Sequence, residues 1–249
     1  MLLFVLAAVR AHEAGAHDRS ALALAAAIAT KSFPVLLLPF FALALPPDAR
    51  KRLRFALLAT VPVAISLVPY AIDDFGALRR ELLGYSGIAD FGWIGAVRAA
   101  MYLGSGELVK SRPQEWGALV PAAKVLFLAA YAGLVVAVAR RRVRLDLGTT
   151  CLAVFLVFLV FYGSVSAQYL LWPIALGAGR PRGAFLVYSA AATLALLGFY
   201  AFLAPGVFFA DEVARPTGAL WAVGTMTVLA ASAGWLATLV GRPLSRAEG

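Results

Sequence analysis

Long apolar runs, each ended by a short charged segment, constrain this chain more than any other feature of its sequence. Trp116 to Ala139 and Leu220 to Val240 each provide about the 20 residues that an α-helix needs to cross a bilayer. Hydrophobic residues make up 62% of the 249 residues and charged residues only 14%, with a mean hydropathy of +0.86. A soluble domain carries about 25% charged residues. The sequence therefore predicts an all-α fold, a polytopic transmembrane helical bundle.

The order of the apolar runs predicts about seven or eight membrane segments within one transmembrane domain over residues 1–249. The segments that we assign are Met1–Val9, 20–47, Arg54–Tyr70, Trp116–Ala139, Leu147–Phe161, Tyr169–Gly179, Gly183–Leu203 and Leu220–Val240. A polar loop is predicted over residues 10–19. Because Met1 to Val9 is only about half of a span, we expect the chain to start inside a spanning helix of a longer parent.

The basic residues predict the orientation of this bundle. The net charge is +9, but the lysines and arginines cluster in short loops between apolar runs, as at residues 140–144. This arrangement encodes a cytoplasmic side and argues against nucleic acid as a partner. Residues 73–115 and 205–216 carry mixed charges and are predicted to be external, with interfacial helices in the 73–115 loop. We expect a multi-pass protein of the bacterial inner (plasma) membrane, whose basic loops contact anionic membrane lipids.

The segment 20–47 allows two interpretations. As one helix it would bury Lys31 and be broken at Pro34. As two short helices it would form a hairpin that enters and leaves on the same side, with Lys31 at its tip. The basic residues favour the hairpin, because Arg19 and residues 50–54 would then both lie in the cytoplasm.

Several kinds of site are excluded by composition. The single cysteine, Cys151, rules out an intrachain disulfide framework, and two histidines, His12 and His17, are too few for a histidine-rich metal cluster. No Gly-rich phosphate loop, nucleophile elbow or internal repeat of the transporter type occurs. We therefore predict no cofactor and no cysteine-based or histidine-rich metal site, and the sequence leaves open whether a divalent metal is required.

Lys31 is the first candidate functional residue. A lysine surrounded by apolar residues in a membrane protein is costly and commonly functional. A cation just before a new helix at Pro34 suits an anion, because the free N–H groups of that helix also favour negative charge. The alternative is a lysine that only anchors a helix end at the interface.

A second candidate site lies in the stretch FYGSVSAQYLLWP, residues 161–173. Small polar residues interrupt the apolar run there, and an amide and two amphipathic aromatics follow, as expected at a membrane–water boundary. The amide of Gln168 is predicted to face a cavity or another polar group. The alternative is an aromatic belt with a surface amide. The residues of interest are Ser166, Gln168, Tyr169 and Trp172.

Asp73 and Asp74 are weaker candidates for catalysis. Two adjacent carboxylates after an outward span could supply a general base or a metal ligand. The alternative is a solvated start to the 73–115 loop.

Two motifs in this order, TKSFPVLLLP (30–39) and SAQYLLWPIAL (166–176), give the chain a resemblance to a known family. It resembles the carboxy-terminal half of a membrane glycosyltransferase of the GT-C superfamily. The polyprenyl-phosphate-mannose-dependent mannosyltransferases are the most similar members. The matching residues are Lys31, Pro34, Pro39, Gln168, Tyr169 and Trp172.

The resemblance, which covers roughly residues 1–180, implies an activity. It implies inverting transfer of a hexose, mannose in that family, from a polyprenyl-phosphate donor to a lipid or glycan acceptor on the external face. Lys31 would pair with the donor phosphate, and Ser166, Gln168, Tyr169 and Trp172 would line the sugar and lipid pocket. The family's catalytic carboxylate lies in an external loop that has no match before Lys31. We therefore expect the amino-terminal catalytic half, or a partner chain, to supply it.

Two non-enzymatic functions compete with this prediction. A transporter or flippase component would move a lipid-linked sugar without turnover and would need a polar pathway across the bilayer. A scaffold subunit would instead dock a partner chain on its basic loops.

Overall fold

The computed structural model describes residues 1–83, 88–143, 145–179, 182–203 and 217–241. The predicted external segment 205–216 lies outside the described residues. So do four arginines that the sequence places on the cytoplasmic side: Arg144, Arg180, Arg242 and Arg246.

The described residues are helical, and their only strand-like pairing is one antiparallel bridge between Phe91 and Val165. The α-helices are α1 (Leu2–Glu13), α2 (His17–Thr30), α3 (Leu38–Ala44), α4 (Ala49–Leu83), α5 (Gly92–Ser105), α6 (Leu119–Ala139), α7 (Leu147–Phe161), α8 (Trp172–Gly177), α9 (Arg182–Leu203) and α10 (Thr217–Val240). Short 3-10 helices are formed by Phe33–Leu37, Pro113–Trp116 and Ala167–Leu171.

Within the described residues, four helices are long and apolar enough to cross a membrane. They comprise Ala49–Glu81, Leu119–Ala139, Gly183–Leu203 and Thr217–Val240. The shorter apolar helices, α7 and the pair formed by the first 3-10 helix and α3, fall below the length of a full span. The predicted all-α membrane fold is confirmed to this extent, and the larger number of membrane segments stays a prediction.

The predicted polar loop over residues 10–19 is much shorter in the structure. Helix α1 continues to Glu13 and α2 begins at His17, so only residues 14–16 join them. Arg10 lies in the last turn of α1 and Asp18 in the first turn of α2. Each charge opposes the partial charge of its helix end, which favours helix over loop there.

The chain divides into two compact units, which comprise Met1–Tyr85 with Val135–Val154 and Ser86–Leu134 with Phe155–Gly249. In the first unit, α2 packs against α1 and α4. The Ser20 hydroxyl donates a hydrogen bond of 2.8 Å to the Ala8 carbonyl, and both residues are fully buried. Small side chains here let α1 and α2 approach closely, which is typical of helix packing in membranes.

In the second unit, α9 and α10 form the most extensive helix pair. A Cβ added at Gly224 would lie 2.7 Å from the Ala195 Cα, and one at Gly198 would lie 2.5 Å from the Trp221 nitrogen. Glycines at these positions therefore allow the two backbones to touch.

Helix α5 starts at a point that is fixed by the turn after α7. The Phe91 nitrogen donates to the Val165 carbonyl at 2.8 Å, and the Trp93 indole donates to the Phe161 carbonyl at 3.2 Å. Gly92, which begins the helix, has a φ of 75°, and a Cβ there would lie 2.5 Å from the Tyr162 oxygen. This position accepts only glycine, because both the backbone angle and the close contact exclude a side chain.

We predict that Gly92→Ala lowers the free energy of unfolding by at least about 2 kcal/mol, since it combines left-handed strain with a backbone clash. Gly104→Ala, in the same helix, is the matched control, because nothing lies within 4 Å of the added Cβ. It should be neutral or slightly stabilising. Thermal unfolding of both variants in detergent tests this, and equal melting temperatures would contradict it.

Candidate functional site

Lys31 lies at a break between two helical segments. It follows the last residue of α2 with extended backbone angles, φ −160° and ψ 134°, and is half-buried. The first 3-10 helix begins two residues later, with Pro34 at its start, and Pro39 lies at the start of α3. Each proline lies in the first turn of its helix, where the missing N–H costs no hydrogen bond. The two prolines therefore favour the end of α2 and the starts of the 3-10 helix and α3.

The chain after Lys31 returns to the end from which α2 started. The centre of the Phe41 ring lies 5.6 Å from that of His12, and the His12 side chain also forms a hydrogen bond with the backbone of Ala44. Of the two interpretations of segment 20–47, this geometry agrees with the hairpin and not with one broken helix.

The basic loops of the first unit meet at the opposite end from Lys31. Arg54 forms an ion pair with Asp18, and Lys51 and Arg19 line the same pocket of about 410 Å³. The Arg52 side chain donates to the Leu45 carbonyl at 3.2 Å. A second pocket, of about 510 Å³, brings Arg52 together with Arg141. The hairpin therefore gathers three basic segments that are separate in sequence, as the charge pattern predicts.

The second motif also forms a reversal of the chain. After α7 ends at Phe161, a 3-10 helix and the short α8 fold back against it. The Tyr169 ring lies 5.4 Å from Phe158, and Trp172 lies 5.0 Å from Phe155. The Tyr188 hydroxyl donates to the Leu170 carbonyl at 2.8 Å and fixes the 3-10 turn.

The two motifs share one local structure, which the sequence did not reveal as a repeat. Ser32 and Ser166 each precede a 3-10 helix of five residues, and a proline follows each serine by seven positions at the start of an α-helix. The serine carbonyl accepts a backbone hydrogen bond three residues on, at 3.1 Å in the first motif and 3.0 Å in the second. The shared sequence signal, SxxxLLxP, is short and lies far below the length at which repeats are sought.

The structure separates the four candidate residues of the second motif into two groups. Tyr169 and Trp172 are each only 6% exposed and contact each other in an aromatic cluster. Ser166 is half-buried and Gln168 is exposed. Gln168 therefore lies outside the buried aromatic cluster, and the expectation that its amide faces a cavity or another polar group stays a prediction. The assignment of all four to a sugar pocket stays a prediction.

Asp73 and Asp74 lie within helix α4 and not at the start of an external loop. The helix continues to Leu83, with one break at Asp74, where φ is −148° and ψ is 90°. The Asp74 carboxylate accepts a hydrogen bond of 2.8 Å from the Ala77 nitrogen, which is the geometry of a helix N-cap. Asp74 therefore has a capping role, both carboxylates are exposed, and their catalytic role stays a prediction.

A buried ion pair that the sequence did not single out lies in the second unit. The Arg98 side chain on α5 is 4% exposed and its Nη1 is 3.7 Å from the Asp90 carboxylate, which is 12% exposed. The Arg98 Nε donates to the Val109 carbonyl at 2.6 Å, and its guanidinium lies 5.0 Å from the Trp221 ring centre. A cation over an indole face is attracted by the ring electrons.

Burial dominates the acid–base properties of this pair. Loss of solvent raises the pKa of the Asp90 carboxyl, although Arg98 and a hydrogen bond from Ser111 oppose this, and it lowers the pKa of Arg98. The sequence predicts that residues 73–115 form an external loop, and it singles out none of the charged residues there as buried. One sequence signal could have identified Arg98, because it is the only charged residue in α5. Lys31 was selected by the same criterion, a charge surrounded by apolar residues.

The two histidines form a smaller polar cluster between α1 and α2. Their ring centres are 4.9 Å apart, and His12 is 8% exposed. Burial lowers the pKa of His12, and the neighbouring His17 lowers it further. Among the described residues, no group of three or more histidine, cysteine or acidic side chains could hold a metal ion.

No protein-family model, curated protein or solved structure matches this chain.

We predict that removing one partner of the Asp90–Arg98 pair destabilises the protein more than removing both. Asp90→Asn leaves a buried cation unpaired and should cost about 3 kcal/mol. The double variant Asp90→Asn/Arg98→Met should recover part of this loss, because the methionine fills the space without a charge. Melting temperatures of the single and double variants test this, and simple additivity would contradict it.

We also predict that stability falls as pH drops below the ordinary histidine pKa of 6.5. A pKa lowered by folding means that the unfolded chain takes up the proton first, so acid favours unfolding. His12→Gln should flatten the dependence of melting temperature on pH. His17→Gln should retain it, since burial is the main cause of the shift at His12. An unchanged pH profile for His12→Gln would contradict the assignment.

Proposed function

We propose that this chain is, or belongs to, a membrane glycosyltransferase of the GT-C type. It would transfer a hexose, mannose by the resemblance, from a polyprenyl-phosphate donor to a lipid or glycan acceptor on the external face. The observation that carries the proposal is the position of Lys31 in a helix break at the tip of a hairpin.

Lys31 suits a phosphate ligand for a physical reason. A cation inside a continuous apolar helix must either be paired or reach the membrane–water interface. A cation at a helix break is already close to that interface. The ammonium group is a compact charge with three donors, which binds phosphate oxygens without a fixed angle. In the proposed reaction it stabilises the negative charge of the polyprenyl-phosphate leaving group.

The second hairpin supplies groups that suit a sugar. The exposed amide of Gln168 can donate to and accept from hydroxyl groups, and Ser166 lies two residues before it. Tyr169 and Trp172 form a packed aromatic cluster behind them. The cluster would hold the turn rigid, so that the polar groups keep one orientation towards the donor.

The proposed membrane arrangement combines long and short segments. The four long helices would span, while α2, α7 and the returning segments after Lys31 and Ser166 would add short hairpins, giving about seven or eight segments in all. The gathered basic segments of the first unit would face the cytoplasm of a bacterial inner membrane, which supports an external position for the tip with Lys31.

The catalytic base of this proposal comes from outside the two motifs. Asp74 caps a helix, and a catalytic role for Asp73 or Asp74 stays a prediction. A carboxylate outside the two motifs would accept the proton of the acceptor hydroxyl. The acceptor oxygen would then bond to the sugar carbon, with inversion, as the bond from that carbon to the phosphate oxygen breaks.

Activity of the intact enzyme in its native membranes tests the proposal. The assay follows transfer of a radiolabelled hexose from a polyprenyl-phosphate donor. Lys31→Ala should lower the rate by about a hundredfold, since a charge-assisted contact to the leaving group is lost, and Lys31→Arg should retain part of it. Gln168→Ala should mainly raise KM for the donor.

Two exposed residues provide matched controls for these variants. Arg50→Ala removes a surface cation and Gln114→Ala removes a surface amide, and both should leave the rate unchanged. Full activity of Lys31→Ala would refute the assignment of the donor phosphate. Movement of the labelled lipid across vesicles without sugar transfer would instead favour a flippase component.

A further inference from the structure

A pocket in the second unit has a lining rich in positive charge. Its volume is about 330 Å³, and helix α5 and the loop that follows it form its walls. The lining residues are Arg98, Leu108, Val109, Lys110, Ser111 and Arg112. Three of the six are cations, and no carboxylate is among them.

Arg98 gives this pocket a buried cation with unused hydrogen-bonding capacity. The residue is 3% exposed, and its buried Nη1 has no hydrogen-bond partner among the described residues. The Asp90 carboxylate at 3.7 Å is close enough for an ion pair but too far for a hydrogen bond. Nε is bonded to the Val109 carbonyl and Trp221 packs against the guanidinium, so the group is held in one orientation. A buried donor that lacks a partner in a fixed cation is a reason to look for a ligand.

The rim of the pocket adds two further cations. Lys110 and Arg112 are exposed, and neither is part of an ion pair within the described residues. The Ser111 hydroxyl between them bonds to the Asp90 carboxylate, which keeps that negative group engaged. The pocket lining therefore carries three cations, one of which, Arg98, forms an ion pair with the Asp90 carboxylate.

The surface beside the pocket is apolar. Val97 and Met101, one helical turn apart on α5, are 38% and 47% exposed, and Leu108 on the pocket wall is 40% exposed. A cationic pocket beside an exposed apolar helix face matches a ligand with a charged head and an apolar tail.

We propose that the Arg98 pocket binds a phosphate group, carried by a lipid headgroup. The guanidinium supplies paired N–H donors that fit phosphate oxygens, and Lys110 and Arg112 add charge at the entrance. The apolar face of α5 accommodates the chain of the lipid. This pocket shares no lining residue with the Lys31 motif, and the proposal does not depend on the proposed glycosyltransferase activity.

Calorimetric titration of the full-length protein in a neutral detergent tests this proposal. The probes are dihexanoyl phosphatidic acid, inorganic phosphate and dihexanoylglycerol, which lacks the phosphate. The key variant is Lys110→Ala/Arg112→Ala, because both residues are exposed and their truncation should not affect folding. The matched control, Arg10→Ala/Arg50→Ala, removes the same amount of charge from exposed positions in the first unit.

We expect the native protein to bind dihexanoyl phosphatidic acid and not dihexanoylglycerol. The rim variant should bind about tenfold more weakly, since two partly solvated contacts to phosphate are lost, and the control should bind as the native protein does. Arg98→Lys keeps the positive charge but loses the paired N–H donors of the guanidinium, and it should weaken binding by about tenfold or more. An unchanged melting temperature would show that this variant is still folded.

The two phosphate sources give different results. Binding of phosphatidic acid with little binding of inorganic phosphate supports a lipid headgroup. Equal affinity for both supports a site for phosphate chemistry and overturns the lipid assignment. No binding of either probe, or equal binding by the native protein and the rim variant, overturns the site itself.

Discussion

The architecture depends on one constraint, that every backbone N–H and C=O group in an apolar environment must find a partner within the protein. Continuous helices meet this condition by themselves, which is why most of the described residues are helical and only one isolated bridge occurs among them. Wherever a helix stops, the free groups need water, a cap or a tight turn. Polar residues in this chain accordingly concentrate at such stops, and Lys31 and Asp74 are examples.

The two helix breaks that contain the resemblance motifs illustrate how local sequence creates a site. In both, proline at the start of an α-helix is preceded by a 3-10 turn whose first hydrogen bond is accepted by a serine carbonyl. This construction reverses the chain within a few residues. The turn thereby brings a cation or an amide to the end of a short hairpin without exposing unpaired backbone groups.

Much of the fold could be predicted from the sequence, because apolar length and basic loops act locally. Helix α7 begins and ends as predicted, and the hairpin around Lys31 followed from the positions of Arg19 and residues 50–54. The loop over 73–115 was predicted less well, since helix α4 continues past Asp73 and α5 buries Phe91 and Ile94. A segment of mixed charge is on average exposed to solvent, but its composition does not show which one of its charged side chains is buried.

The sequence by itself determined the helical class, the helix breaks beside Pro34 and after Phe161, and the clustering of positive charge, because each follows from composition within a short window. Only the tertiary structure decided which polar residues are buried and which are exposed. Arg98 became enclosed because α10 brings Trp221 against it and the following loop brings Val109, and Gln168 became exposed because Tyr169 and Trp172 turn towards Phe158 and Phe155. Those outcomes depend on contacts between residues far apart in the chain, which no local pattern specifies.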